Sequence, residues 1–220
     1  MAIGEDPDAI DAILITHEHS DHVQGLGPLA RKLSKKRRKP VYLSKLTAPA
    51  IDWGGFAPIV ETFQAGTSFP IGDLEIQSFT IPHDAIDPVG FSVRWNGLKF
   101  SVAMDLGYLP ASVKYHLRSS HVLVVESNHD LEMLKVGPYP WPVKQRVMGR
   151  RGHLSNDLVS DYITEDLDGE TQALLLGHLS EHNNHPEIVR LVAAQALERS
   201  RTRARLVVAE PKKRSEVFIL

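Results

Sequence analysis

Ala12-Ile13-Leu14-Ile15-Thr16-His17-Glu18-His19-Ser20-Asp21-His22 is the stretch on which the fold turns. Its apolar opening, Ala12 to Ile15, reads as a buried strand. Three imidazoles and the Asp21 carboxylate follow directly. A strand that ends in ligands holds them at the rim of a rigid sheet. Neutral imidazole and carboxylate together suit zinc, iron or manganese. A catalytic zinc takes three protein ligands and keeps one position open. Four such groups at this spacing therefore hint at two ions side by side. The plain alternative is a polar loop that is merely rich in histidine.

Further along, His83 follows Thr80-Ile81-Pro82, Asp105 ends Phe100-Ser101-Val102-Ala103-Met104, and His178 follows Ala173-Leu174-Leu175-Leu176-Gly177. Any one of these residues alone is more often structural. In this order, after His-x-His-x-Asp-His, they resemble the motifs of the metallo-β-lactamase-fold hydrolases. The resemblance spans nearly the whole chain. A narrower likeness lies in Val124-Val125-Glu126-Ser127-Asn128-His129-Asp130, in Gly137 to Arg146, in Gly152-His153-Leu154-Ser155-Asn156 and in His178-Leu179-Ser180-Glu181-His182-Asn183-Asn184. These segments are similar to the bacterial WalJ/YycJ branch, regarded as metal-dependent nucleases or phosphodiesterases.

The resemblance implies an α/β fold, a metallo-β-lactamase-like αββα sandwich with mixed sheets, as one hydrolase domain over residues 1–220. It also implies a ligand set. His17, His19 and His83 would hold one divalent ion. Asp21, His22 and His178 would hold the other, and Asp105 would bridge them. The ions expected are Zn or Mn, with Fe also compatible. A hydroxide between the ions would be the nucleophile, and Asp21 would also orient it. Family members usually carry additional strands before the first motif, whereas His17 here follows 16 residues. That leads to the expectation of an N-terminal truncation.

Composition sets further bounds. With 220 residues, 42% hydrophobic and 24% charged, the chain is long enough to bury a substantial core. No apolar run approaches a membrane span, and the acidic start lacks the features of a secretory signal. The chain has no cysteine. Disulfides and thiolate ligands are thereby excluded, which points to a reducing, cytoplasmic setting. The net charge of -2 does not by itself announce a nucleic-acid partner. Local charge is more suggestive, in Arg31-Lys32-Leu33-Ser34-Lys35-Lys36-Arg37-Arg38-Lys39 and again in Lys144-Gln145-Arg146 with Arg150-Arg151. The plainer reading of the first run is the solvated end of a helix; a phosphate-tracking surface is the second.

Periodicity places strands at 10–16, 41–43, 60–63, 73–79, 121–126 and 205–209. Residues 216–220 complete a closing pair with 205–209. Gly90 to Trp95 and Leu98 to Val102 flank Asn96-Gly97, the favoured two-residue hairpin turn. Helices are expected from about His22 to Lys36 and over 45–52, 110–118, 142–150 and 186–199. Another follows a cap at Ser155 or Asn156.

Of the 11 histidines, five fall in the ligand set. His153 and His182 are singled out from the rest as candidate catalytic residues. Each could donate to a phosphate oxygen or protonate a leaving oxygen, or else orient a ligand from outside. Ser155, Asn156 and Asn183 are candidate neutral donors. Glu126 and His129 read more readily as structural residues. Three function classes remain. The first is a dinuclear phosphodiesterase or nuclease acting on nucleic acid, with 5′-directed DNA exonuclease action implied by the resemblance. The second is a thioester or ester hydrolase of the glyoxalase II or lactonase type. The third is a non-catalytic metal-binding protein.

Overall fold

The computed structural model describes residues 6–33, 39–54, 58–211 and 213–218. β1 (Ile13–Leu14), β2 (Pro40–Ser44) and β3 (Ile59–Phe63) pair in parallel in that order. A second sheet holds β4 (Ser68–Ile71), β5 (Leu74–Thr80), β6 (Val89–Trp95), β7 (Leu98–Ala103), β8 (Val122–Glu126), β9 (Ala173–Gly177) and β10 (Arg205–Val208), in sequential order across the sheet. β4 to β7 are antiparallel neighbours, and β7 to β10 run parallel. The helices are α1 (Ser20–Val23), α2 (Leu26–Leu33), α3 (Ala111–Leu117), α4 (Leu131–Val136), α5 (Trp141–Met148), α6 (Asn156–Glu165) and α7 (Pro186–Ser200).

The period-two alternation of a strand sorts the core into layers. Ile13, Ile15, Val41 and Leu43 face one side of the small sheet, packed with Val23 and Leu26. Leu14, Tyr42 and Phe63 face the other side and meet Phe69, Ile76, Phe91 and Val102 of the large sheet. Phe63 and Tyr42 both stack on Phe69, with centroids 4.9 and 5.4 Å apart. Phe79, Ala103, Leu123, Val125, Leu174 and Leu176 point outward beneath Val113, Ile163, Val189 and Ala193 of the outer helices. The layers therefore run helix, sheet, sheet, helix, as the motifs implied.

β5, β7, β8 and β9 run in one direction and end at one rim of the large sheet. Thr16 at the end of the small sheet joins that rim by accepting from Val89 N at 3.0 Å. Candidate ligands after different strands are thus gathered in one place.

Several expectations are corrected. Only Ile13 and Leu14 pair within the expected strand 10–16. The helix expected from His22 is broken at Gln24 and Gly25 into α1 and α2, and residues 34–38 of the basic run lie outside the described residues. Over 45–52 only Ala48–Ala50 is helical, as one 3₁₀ turn. β4 lies where no strand is expected; Pro70 lies within it and is tolerated because the strand is the sheet edge, where a missing donor costs nothing. α4 was also unexpected, although the Asp130 side chain caps it by accepting from Met133 N at 2.9 Å. β10 pairs with β9 and not with a closing strand. Glu216 to Phe218 form no strand, and Ile219 and Leu220 lie outside the described residues. The Asn96-Gly97 hairpin forms as read, with φ of 46° and 81°.

Candidate metal centre

Thr16 organises the first motif from the end of the small sheet. Its hydroxyl lies 3.1 Å from His17 Nδ1 and 3.0 Å from His22 Nδ1. Both rings are held through Nδ1, which leaves their Nε2 atoms to Asp105. The His22 Nε2 to Asp105 Oδ2 distance is 2.5 Å, and His17 Nε2 lies 3.6 Å from the same oxygen. Nearby, His19 Nδ1 is 3.2 Å from His83 Nε2, while His83 Nδ1 faces the Gly152 carbonyl at 3.3 Å. A ring that donates from Nδ1 keeps Nε2 bare for a ligand.

Two nitrogen-rich groups result. His17, His19 and His83 bring ligand atoms within 4.8 Å of one another, as do Asp21, His22 and His178. Asp105 lies between them and shares a third such group with His17 and His22. His178 Nε2 and His22 Nε2 lie 3.6 and 3.8 Å from Asp21 Oδ2. The Asp21 side chain is 61% exposed, so this half of the centre opens to solvent. Asp105 and His178 sit at φ of 59° and 57°. The left-handed region is costly for a residue with a Cβ and persists where the surroundings enforce it.

The donor atoms fit a cation. His17 Nε2 and both carboxylate oxygens of Asp105 are buried without a hydrogen-bond partner. Leaving such groups bare costs about 1–3 kcal/mol each, and a divalent ion between the two groups would satisfy them together. Burial, then the neighbouring His22 charge, holds His17 down to about 3, so its ring is neutral and able to ligate. Burial also keeps His83 below its ordinary range. Burial works against ionisation of Asp105, but the His153 and His22 imidazoles that face its oxygens overcome it and hold the carboxyl well below the usual range.

Glu126 belongs to this centre, contrary to its structural reading from sequence alone. It is fully buried at the end of β8. Its Oε1 accepts from Leu106 N at 2.7 Å and Leu154 N at 3.1 Å. Its Oε2 faces His153 Nδ1 at 3.0 Å and His178 Nδ1 at 3.1 Å. All its acceptor capacity is engaged, so it orients two imidazoles and is a poor candidate ligand. The clue in the sequence is positional: β7 leads into Asp105, β8 ends in Glu126, and β9 leads into His178.

His153 is brought to the centre, with Nδ1 between Asp105 Oδ1 at 3.2 Å and Glu126 Oε2 at 3.0 Å. Burial opposes its charge, but the facing Asp105 carboxylate and the hydrogen-bonded Glu126 carboxylate raise it to about 10. His182 is not brought to the ligand atoms. It is exposed on the rim of an adjoining cavity of about 400 Å³ that Asp21, His153 and His178 also line, and its ring meets Tyr139 at 6.0 Å. Ser155 caps α6 by accepting from Leu158 N at 3.2 Å. Asn156 and Asn184 exchange reciprocal amide hydrogen bonds of 3.0 Å in the interior. Asn183 is buried and donates to Ser180 Oγ. These three candidates are therefore structural. Lys144 also leaves the basic surface, because its buried Nζ donates to the Lys135 carbonyl at 2.7 Å.

No helix among the described residues is long and apolar enough to cross a membrane. The sequence profile of the β-lactamase superfamily domain matches residues 1–173. The exodeoxyribonuclease YycJ of Bacillus anthracis is 37% identical over 192 residues, covering 86% of this chain and 71% of that protein. The exodeoxyribonuclease WalJ of Streptococcus pneumoniae is 34% identical over 200 residues, covering 89% and 73%. Among solved structures, the metallo-β-lactamase fold protein YhfI from Bacillus subtilis superposes with a TM-score of 0.70 at 16% identity, covering 93% of this chain and 77% of that one. At that identity the likeness speaks for the fold.

Proposed function

The chain belongs to the β-lactamase superfamily, and on that premise we propose that it is a two-metal phosphodiesterase that removes nucleotides from DNA ends. The observation that carries the metal part is the set of buried, unpartnered donors, His17 Nε2 and the Asp105 oxygens, between two groups of potential ligands. The names of its exodeoxyribonuclease relatives support the substrate. Donors of nitrogen and oxygen without thiolate favour zinc or manganese.

Each side chain has a part in this reading. His17, His19 and His83 would hold one ion, and Asp21, His22 and His178 the other, with Asp105 available to both. When bound, a pair of ions lowers the pKa of water and stabilises charge on the attacking and leaving oxygens of a phosphodiester. Asp21, exposed at the open side, accepts a proton from the attacking water and aims it. His153 presents an imidazolium to the phosphate. From its place between Asp105 and Glu126, His153 would protonate the leaving oxygen. His182, on the outer rim, contacts the strand farther from the scissile bond. Glu126 keeps His153 and His178 in place.

The test is hydrolysis by the Mn²⁺- or Zn²⁺-loaded protein of single- and double-stranded DNA, RNA, bis(p-nitrophenyl) phosphate and S-lactoylglutathione. The proposal expects release of nucleotides from DNA ends, weakening as salt rises. Strong thioester turnover without cleavage of any polynucleotide would instead place the protein with the thioester hydrolases. Tight metal binding with no turnover of any of these substrates would make it a binding protein.

A further inference from the structure

We propose that a second cavity, beside His83, seats the nucleobase next to the cleaved phosphate of a single-stranded end, an assignment that rests on the phosphodiesterase reading above. The cavity is open to solvent, has a volume of about 510 Å³, and is lined by Pro82, Ile86, Pro88, Tyr108, Arg150 and Arg151. Its size falls in the range of small-ligand pockets. His83 lines both this cavity and the pocket over the metal centre. A nucleotide whose phosphate lies at the ligands therefore has its base within reach of these walls.

The chemistry of the walls selects the occupant. The Arg150 guanidinium lies over the Tyr108 ring, 4.2 Å from its centroid. One face of the guanidinium plane is thus fixed by Tyr108, and the other is free to stack on a base, as Arg and aromatic planes do with unpaired nucleotides. Arg151 donates from Nε to the His83 carbonyl at 3.1 Å and keeps its other donors for a phosphate. Asp87 lines the same cavity. Its carboxylate repels a phosphate but accepts from the amino group of adenine, cytosine or guanine. The phosphate thus belongs on the arginine side and the base inside. A paired base cannot enter without leaving its stack, so the fit is to a single strand.

The cavity is built into the metal loop. A Cβ at Gly107 would lie 2.3 Å from the Gly149 carbonyl oxygen and 2.4 Å from the Arg150 carbonyl carbon. Only glycine lets the turn after Asp105 press against this segment, and that contact brings Tyr108 beneath Arg150. On the other wall, the Glu18 carboxylate of the first motif accepts from Ile86 N at 2.9 Å. Here Arg150 is a specificity residue and Tyr108 a positioning residue.

The experiment compares binding of a fluorescein-labelled phosphorothioate dA12 with an abasic 12-mer and a blunt duplex, by anisotropy on the Mn²⁺-loaded protein. Wild type is expected to prefer dA12 over the abasic strand by about tenfold or more, and over the duplex. Arg150→Gln should lose most of that preference. Its kcat on methyl p-nitrophenyl phosphate, which has no base to seat, should stay within about twofold of wild type. Tyr108→Phe should keep the preference and Tyr108→Ala should lose it. Equal wild-type affinity for dA12 and the abasic strand, or an undiminished preference in Arg150→Gln, would overturn the assignment while leaving DNA cleavage intact. A wild-type protein that hydrolyses the small diester but neither binds nor cuts any polynucleotide would overturn the nuclease reading and this inference with it.

Discussion

Replacing Glu126 by glutamine separates its two jobs. Glutamine keeps one oxygen, which can still accept from Leu106 N and Leu154 N, now 2.7 and 3.1 Å from Glu126 Oε1. It puts an NH₂ group where Oε2 faces His153 Nδ1 and His178 Nδ1 at 3.0 and 3.1 Å. An amide NH₂ only donates. Facing that NH₂, His178 Nδ1 is driven to accept, against the pull of Asp105 Oδ1 3.0 Å away on its proton, and the proton moves to Nε2, the atom 3.6 Å from Asp21. A protonated Nε2 cannot ligate. Losing such an outer partner typically costs about 10–100-fold in metal affinity, or about 1.4–2.7 kcal/mol. The expected outcome is one ion weakened by that factor, with the ion at His17, His19 and His83 bound as in wild type. The metal-free protein should melt below wild type, because His153 loses its charged acceptor, but less so than Glu126→Ala. Glu126→Ala is the control. It strands two buried N–H groups at about 1–3 kcal/mol each and should lower the melting temperature by several degrees or more. Chelator competition that resolves two binding steps, together with thermal melts, reads both effects. A Glu126→Gln protein that binds both ions with wild-type affinity would refute the tautomer argument.

Asp21→Ala should abolish hydrolysis yet leave the metal-free melt near wild type, because the side chain is largely exposed; activity within about an order of magnitude of wild type would contradict its role. His153→Ala should lower phosphodiester turnover more than metal content, and an equal loss of metal would make it a support for ligands only. His129 is held down to about 4, chiefly by burial, from an ordinary value of 6.5. The unfolded chain therefore takes up a proton that the native state refuses, and stability falls as pH drops from 6.5 towards 4, by about 3 kcal/mol. His129→Leu should flatten that acid limb in denaturant titrations at several pH values, and an unchanged limb would show that His129 does not contribute. Gly107→Ala should destabilise by about 1–3 kcal/mol through its backbone clash, measured by urea unfolding.

The candidate ligands were legible because each follows an apolar run, and apolar runs announce strands. His17, His83, Asp105 and His178 could be placed at strand ends from sequence. The outward and inward faces of β2 and β5 follow from the same alternation. Glu126 was harder, because a carboxylate after Val124-Val125 looks the same whether it ligates, supports or faces solvent. Only the four partners of its two oxygens decide. Thr16 was missed for a related reason: a hydroxyl that steers two imidazoles has no signature in spacing. β4 holds Pro70, which tells against a strand except at a sheet edge, and the edge is a property of the assembled sheet. Ser155, Asn156 and Asn183 sit in two segments that resemble nucleases; Ser155 caps α6 as its position before the helix suggests, while Asn156 and Asn183 spend their amides on buried partners that spacing does not reveal.

The two-metal claim is tested most directly by titrating metal-free protein with Mn²⁺ and following bound ion and nucleotide release from single-stranded DNA in the same samples. A two-metal centre requires saturation at two ions per chain, with cleavage appearing as the second ion binds. Saturation at a single ion, with DNA cleavage already complete, would contradict it.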